Sequence, residues 1–187
     1  MVGAYLVLLL LVGAERLVEL RLSRRHAAAA LARGGVELGQ RHYFWMKILH
    51  TGFLLSAGVE VVALDRPFHP WLAAAMLMFT LAAQGLRYWC IATLGERWNT
   101  RVIVVPGLAA VQRGPYRYLR HPNYLAVIVE GISLPMIPTA WLTAFTFTIL
   151  NAILLRVRIR CEEQALARYC DYDRTMAGIG RLMPVGG

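Results

Sequence analysis

The chain has 187 residues, of which 58% are hydrophobic and 17% charged, and its mean hydropathy is +0.49. A soluble domain is about half apolar, and the excess here is concentrated in long uncharged blocks, which excludes an ordinary water-soluble domain. The formal net charge of +9 would suit a nucleic-acid partner, but the basic residues are grouped between the apolar blocks. This grouping is typical of membrane proteins, so we expect no nucleic acid.

The apolar blocks predict membrane-spanning helices, because a helix needs about 20 residues to cross about 30 Å of hydrocarbon. The longest block, residues 126–155, contains Glu130 as its one charged residue, and Pro135 and Pro138 divide it into two spans. An alternative for the first block is a cleaved signal peptide ending near Ala14, but no basic residue precedes this stretch and its apolar stripe continues beyond it. We predict five spans, at about residues 2–22, 45–64, 70–94, 122–135 and 139–158.

The segment before the fourth span has a different character. Residues 101–105 are rich in β-branched side chains and are followed by the turn dipeptide Pro106-Gly107, which indicates an ordered flap rather than a helix. Pro122 suits the first position of the next helix, so His121 would lie at the positive end of that helix.

Two short helices are predicted outside the spans. Residues 23–33 form one, which Gly34-Gly35 stops, and residues 169–176 form an amphipathic second. The sequence therefore predicts an all-α integral membrane protein with five transmembrane helices, a cytoplasmic flap and a C-terminal helix. We expect residues 1–187 to form a single domain, since no linker or repeat interrupts them.

The distribution of basic residues predicts the orientation. Six Lys or Arg residues lie in residues 21–47, five in residues 97–120 and six from residue 156 onward, whereas the loop between the second and third spans has only Arg66. Positive loops stay in the cytoplasm, so the N-terminus is expected outside and the C-terminus inside. The three cysteines have no metal-ligand spacing, and we predict no metal site.

Two charged motifs beside apolar runs are the candidate reactive groups. On a helix, Arg158 and Glu162 share one face, while Glu163 lies about 100° further round. The alternative is an exposed helix with ordinary ion pairs, and His121 has the alternative role of a helix cap.

A carboxyl group within the fourth span needs a partner or a function. Glu130 lies two turns into that span, and His50 and Arg87 are its candidate partners. Tyr116 and Tyr124 belong either to a site or to the aromatic belt of the membrane interface.

These motifs carry a resemblance to a known family. Residues 114–124 contain Gly114, Tyr116 and the Arg120-His121-Pro122 sequence with a following Tyr124. Arg158, Glu162-Glu163 and Leu166 come next, then a Tyr-x-x-Tyr piece at residues 169–172 and a closing Pro184. In this order they resemble the isoprenylcysteine carboxyl methyltransferase family, which is related to membrane phospholipid methyltransferases. The resemblance covers about residues 94–184.

The resemblance implies a membrane methyltransferase that uses S-adenosylmethionine and releases S-adenosylhomocysteine. Residues 95–124 and 156–184 would form the cofactor region. Arg158 and Glu162 match the family's catalytic and substrate-positioning pair. The positions that would line the cofactor are Val105, Gly107, Tyr116, His121, Pro122, Tyr124 and Glu163.

Several details resemble a bacterial branch of that family, whose members methylate alkylpyrones or alkylresorcinols made by type III polyketide synthases. These details are residues 101–107, Asn123 and Glu130. A phenol or enol acceptor must lose a proton, and Glu130 or Glu162 would be the base. The expected partners are then a lipophilic small molecule, membrane lipids and, functionally, such a synthase. The expected location is the bacterial inner membrane.

Other functions remain open at this level. A prenyl-cysteine carboxylate needs no base, and Arg158 would hold it. A phospholipid or a small thiol is a further acceptor. A binding or transport subunit without catalysis is disfavoured, because the charged residues cluster at the cytoplasmic face and no internal repeat is present. The sequence predicts no oligomeric state.

Overall fold

The computed structural model describes residues 1–183 and is 74% helical. Short 3-10 turns at Gly95–Arg97 and Gly114–Arg117 flank the predicted flap. Pro184, the closing proline of the predicted cofactor region, lies outside the described residues. The elements are, in chain order, α1 (Val2–Ala32), β1 (Val36–Leu38), α2 (Gln40–Ala63), α3 (Pro70–Leu94), β2 (Val102–Val104), α4 (Pro122–Met136), α5 (Trp141–Tyr169) and α6 (Tyr172–Thr175).

The first predicted span and the short helix after it are one continuous helix, α1. No glycine or proline interrupts residues 15–33, and the alanine run Ala27–Ala30 favours continuation. The helix ends before Gly34, whose φ of 80° is a left-handed conformation that glycine adopts easily. The fifth predicted span likewise continues as α5 into the segment that carries Arg158 and Glu162.

The helices expose apolar side chains that water would not tolerate in such number. Leu10, Trp71 and Phe145 are 73%, 89% and 65% exposed, and many other Leu, Val and Ile side chains on the helices are similarly bare. Within residues 1–183, α2 and α5 are long and apolar enough to cross a membrane. The predicted first span, within α1, contains four charged residues (Glu15, Arg16, Glu19 and Arg21), and α4 has 15 residues, so the five predicted spans are not all established.

Small and polar side chains bring α3, α4 and α5 close together. The hydroxyls of Thr80 and Ser133 share a hydrogen bond of 2.9 Å between α3 and α4. Gly131 lets the ring of Phe147 lie against the backbone of α4, in space that a Cβ would occupy. At the N-terminus of α5, the Glu60 carboxylate of α2 accepts the Thr143 backbone N–H at 2.8 Å and so caps the helix.

The flap is a two-stranded antiparallel sheet. The β-branched run predicted to form it is β2, and its partner β1 pairs Val36 with Val104. The sequence did not predict β1, because three residues after a glycine turn carry no periodic signal. Val102 and Val104 are buried against Ala165 and Leu166 of α5, which fixes the flap beside the C-terminal end of that helix.

Candidate active site

A chain of hydrogen bonds links α4 and α5 at the centre of the site. Arg158 Nε donates to the Tyr124 hydroxyl at 2.7 Å, and that hydroxyl donates to the Glu162 carboxylate. Arg158 Nη2 also donates to the Thr100 carbonyl at 2.7 Å, which ties the flap segment to the same group. Arg158 is 4% exposed, so its charge is held in place by these partners rather than by water.

Glu163, next to Glu162 in sequence, serves a different set of partners. His121 Nε2 lies 3.2 Å from Glu163 Oε1, and Arg181 binds the same carboxylate through both oxygens, at 2.9 and 2.6 Å. Burial alone would raise the pKa of Glu163, but the hydrogen bonds from Arg181 and His121 outweigh it and hold that pKa below its usual value. Glu163 therefore remains a carboxylate that orients His121.

The segment after α6 completes this side of the site. The backbone N–H groups of Arg120 and His121 donate to the carbonyls of Gly180 and Arg181, at 2.8 and 3.0 Å. Arg120 Nε donates to the Ile179 carbonyl at 2.6 Å. Arg181 was not predicted from the sequence, since a contact made by an irregular segment 18 residues beyond Glu163 has no periodic pattern.

These groups lie at one end of a cavity of about 1310 Å³. Tyr116, His121 and Tyr124 form an aromatic wall at this end, and the His121 and Tyr124 rings stack with centroids 5.3 Å apart. The other end is apolar and runs between α1 and α2. It is lined by Leu6, Leu9, Leu10, Gly13, Leu17, Leu54, Leu55, Gly58, Val59 and Val62.

Six cavity-lining residues have a buried polar atom without a partner within residues 1–183. Three of these atoms belong to charged side chains, namely Arg16 Nε, Glu19 Oε1 and Arg87 Nε. The other three are Trp98 Nε1, Asn123 Oδ1 and the Tyr172 hydroxyl. Burial raises the pKa values of Tyr116 and Tyr172, which keeps both phenols neutral. A polar ligand with both donors and acceptors would satisfy these groups.

Glu130 belongs to a buried ion network between α1, α3 and α4. Its carboxylate accepts from Arg87 and lies 3.5 Å from Arg16 Nη2. Arg16 also pairs with Glu19 at 2.6 Å. Arg16, Glu19 and Arg87 line the cavity, while the two arginines hold Glu130 beside it. Of the two candidate partners, Arg87 makes the contact, and His50 Nδ1 instead meets the Met46 carbonyl at 2.8 Å.

Some of the predicted site residues line the cavity, and the others lie beside it. Gly107 shapes the flap turn, since it has a φ of 80° and its N–H donates to the Tyr169 carbonyl; Pro122 begins α4. Glu163 and Glu130 do not line the cavity themselves. Glu163 contacts His121, and Glu130 contacts Arg87 and Arg16, all three of which line it. Within residues 1–183 no group of His, Cys, Asp and Glu side chains could hold a metal ion. The predicted residues that line the cavity are Val105, Tyr116, His121, Tyr124, Arg158 and Glu162.

Comparison with known proteins identifies the family. A model of the isoprenylcysteine carboxyl methyltransferase (ICMT) family matches residues 75–168. The chain belongs to the ICMT family. The resemblance predicted from the sequence is thus confirmed, and membership implies a membrane-associated methyltransferase. The ICMT match contains His121, Tyr124, Arg158 and the two glutamates, but ends before Arg181.

Two bacterial proteins are similar over most of their length. A Bacillus subtilis (strain 168) protein, "Uncharacterized protein YpbQ", is 38% identical over 156 residues, covering 83% of this chain and 92% of its own. A Haemophilus influenzae protein, "Uncharacterized protein", is 30% identical over 157 residues, covering 82% of this chain and 90% of its own. The similarity therefore extends well beyond the segment that the family model matches.

Proposed function

We propose that this ICMT-family chain is an S-adenosylmethionine-dependent O-methyltransferase for a lipophilic acceptor in the bacterial inner membrane. The acceptor class is an alkylresorcinol or an alkylpyrone, methylated on a phenol or enol oxygen. The observation that carries the proposal is the Arg158–Tyr124–Glu162 hydrogen-bond chain, which lines the polar end of a cavity that also has an apolar arm.

The polar end fits the cofactor. S-adenosylmethionine has a sulfonium cation, a purine and an amino-acid group, and when bound it supplies an electrophilic methyl group. Aromatic faces such as Tyr116 and Tyr124 attract a cation. The unpaired polar atoms of Trp98, Asn123 and Tyr172 would bind the polar parts.

The apolar arm fits an alkyl tail. Leu10 and Leu55 line the cavity and are 73% and 65% exposed, so the arm opens sideways between α1 and α2. A lipophilic acceptor would reach Glu162 from the bilayer without passing through water. Burying each CH2 of its tail contributes about 0.8 kcal/mol.

Glu162 would take the acceptor proton. Its carboxylate lines the cavity and accepts a hydrogen bond from Tyr124. Arg158, which donates to Tyr124, would stabilise the negative charge that develops on the acceptor oxygen. Glu130 is a weaker candidate for the base, because its carboxylate is paired with Arg87 and Arg16 and it does not line the cavity.

Carboxyl methylation of a prenyl-cysteine is the second candidate, and the family match favours it. In that case Arg158 would hold the acceptor carboxylate and no base would be needed. Arg158 and Glu162 match the family's catalytic pair, so the acceptor that receives the methyl group, rather than a requirement for Glu162, separates the two classes.

The proposed topology has five spans, with the N-terminus outside and the C-terminus in the cytoplasm. The alternation of basic loops supports it. This places the polar end of the cavity in the cytoplasm, where the cofactor is made. A type III polyketide synthase in the same compartment would supply the acceptor.

Substitution of the two adjacent glutamates tests the proposal. With a phenolic acceptor, Glu162→Gln should lower kcat by about 10²–10⁴-fold, because it removes the base, and leave the cofactor Kd unchanged. Glu163→Gln should weaken cofactor binding, measured by calorimetry in detergent, because His121 loses its anchor. Equal turnover by native protein and Glu162→Gln would exclude Glu162 as the base.

A further inference from the structure

A second cavity, of about 360 Å³, lies on another side of α5. It is formed by α4, α5 and the segment after α6, and no described residue lines both cavities. Its lining is Ile128, Phe147, Thr148, Asn151, Ala152, Leu155, Arg156, Ile159, Arg160, Arg181 and Leu182. Below, this cavity is called the arginine groove.

The arginine groove follows one face of α5 and changes character along it. Positions 148, 152, 156 and 160 succeed one another at four-residue steps, so they form one row on the helix. In the membrane part of the row the side chains, Thr148 and Ala152, are small and at most weakly polar. Arg156 and Arg160, further along, are cationic. Both arginines are exposed, and neither has a carboxylate within 4.0 Å in residues 1–183. Their charge is available to an anionic ligand.

Asn151 is the second indication of a ligand. It is 2% exposed, it lines the arginine groove, and its Oδ1 has no hydrogen-bond partner among the described residues. It lies five residues from Arg156, or about 7.5 Å along the axis toward the membrane centre. The amide offers an N–H or a carbonyl by rotating, so it suits an ester group at that depth.

We propose that the arginine groove binds one anionic glycerophospholipid from the leaflet on the side of the basic loops. Arg156 and Arg160 contact the phosphate, Asn151 contacts an acyl ester, and one chain lies on Ile128 and Leu155. Basic pockets between membrane helices bind anionic headgroups in this way. The proposal does not depend on the methyltransferase chemistry.

The arginine groove also adjoins the candidate active site. Leu182 packs against the cluster that Tyr124, Leu155 and Ile159 form, and Arg181 both lines the groove and binds Glu163. A lipid held there stabilises the segment that anchors His121. Lipid binding should therefore raise the thermal stability of the folded protein.

Lipid titration tests the proposal. Protein in dodecyl maltoside is titrated with dioleoylphosphatidylglycerol, and the unfolding midpoint should rise saturably by about 3–5 °C at roughly ten times Kd. The Arg156→Gln/Arg160→Gln variant should fold with the native midpoint in the absence of lipid and lose the rise. Asn151→Leu should reduce it. Arg24→Gln/Arg25→Gln, which removes the same charge from exposed positions outside the groove, should keep it.

Three results would overturn the proposal. An equal rise with dioleoylphosphatidylcholine would show that the groove does not recognise the net negative charge of the headgroup. An equal rise with soluble glycerol 3-phosphate would show a site for free phosphate rather than for a lipid. Equal losses in the two double variants would show attraction to the general positive charge of the protein.

Discussion

The Tyr124 hydroxyl forms hydrogen bonds with two charged side chains at once. It accepts from Arg158 and donates to Glu162, so both charged groups depend on one oxygen. Removing it leaves a buried guanidinium N–H without its acceptor, which costs about 1.5–3 kcal/mol for a charged group.

We therefore expect Tyr124→Phe to lower kcat/KM by about 10- to 100-fold while the protein still folds. Tyr118→Phe is the matched control, because the Tyr118 side chain is half exposed, and it should remain near native. Steady-state methyl transfer measures both. Loss of activity in the two variants alike would mean that the effect does not come from the hydrogen-bond chain.

Glu163 makes the anchoring of His121 dependent on pH. Its pKa in the folded protein is lowered by Arg181 and His121, so its stabilising contribution is complete above the unfolded value of about 4.3 and is lost as pH falls through the lowered pKa. The unfolding midpoint should respond little to this group above about pH 5. In Arg181→Gln the pKa of Glu163 should be lowered less, so the loss of stability should be smaller and should end at a higher pH, and an unchanged profile would refute the role of Arg181.

Most of the residues in this site, but not all, were predicted from the sequence. Charge beside apolar runs and helical spacing indicated His121, Arg158 and the paired glutamates. Tyr124 was expected to line the cofactor, and only the structure places it between the other two side chains. Arg181 was missed, since its contact depends on the path of an irregular segment.

At the level of elements, one glycine determines how closely α4 approaches α5. A Cβ at Gly131 would overlap the Phe147 ring, whereas a Cβ at Gly85 of α3 would meet nothing within 4 Å. Gly131→Ala should destabilise the protein by about 1–3 kcal/mol through overpacking. Gly85→Ala should be neutral or stabilising by up to about 1 kcal/mol. Thermal unfolding in detergent compares the two, and equal midpoints would contradict the tight packing described.

The helices were more predictable than the sheet. The bounds of α3 and the start of α4 follow from prolines at the first helical position and from uncharged runs. The strand β1 pairs with β2 across more than sixty residues of sequence, and a three-residue strand leaves too little pattern to detect. The continuity of α1 was missed because composition changes near Leu22 while helix propensity does not.

The whole molecule is asymmetric in charge, and this predicts its orientation. After replacement of Cys90, Cys161 and Cys170, a cysteine at Asp65, in the loop between α2 and α3, should react with a membrane-impermeant maleimide in spheroplasts. A cysteine at Gln112, near the flap, should react only after permeabilisation. Both positions are exposed, so the reverse pattern would overturn the proposed topology.

We propose that this protein methylates a lipophilic phenol or enol bound in the large cavity. The most direct test is methyl transfer from radiolabelled S-adenosylmethionine by protein in lipid nanodiscs. An alkylresorcinol, an alkylpyrone and a prenyl-cysteine analogue are offered in parallel. We predict label in the alkylresorcinol or the alkylpyrone. Label in the prenyl-cysteine alone would contradict the acceptor, and no label in any of the three from folded protein would contradict the proposed function.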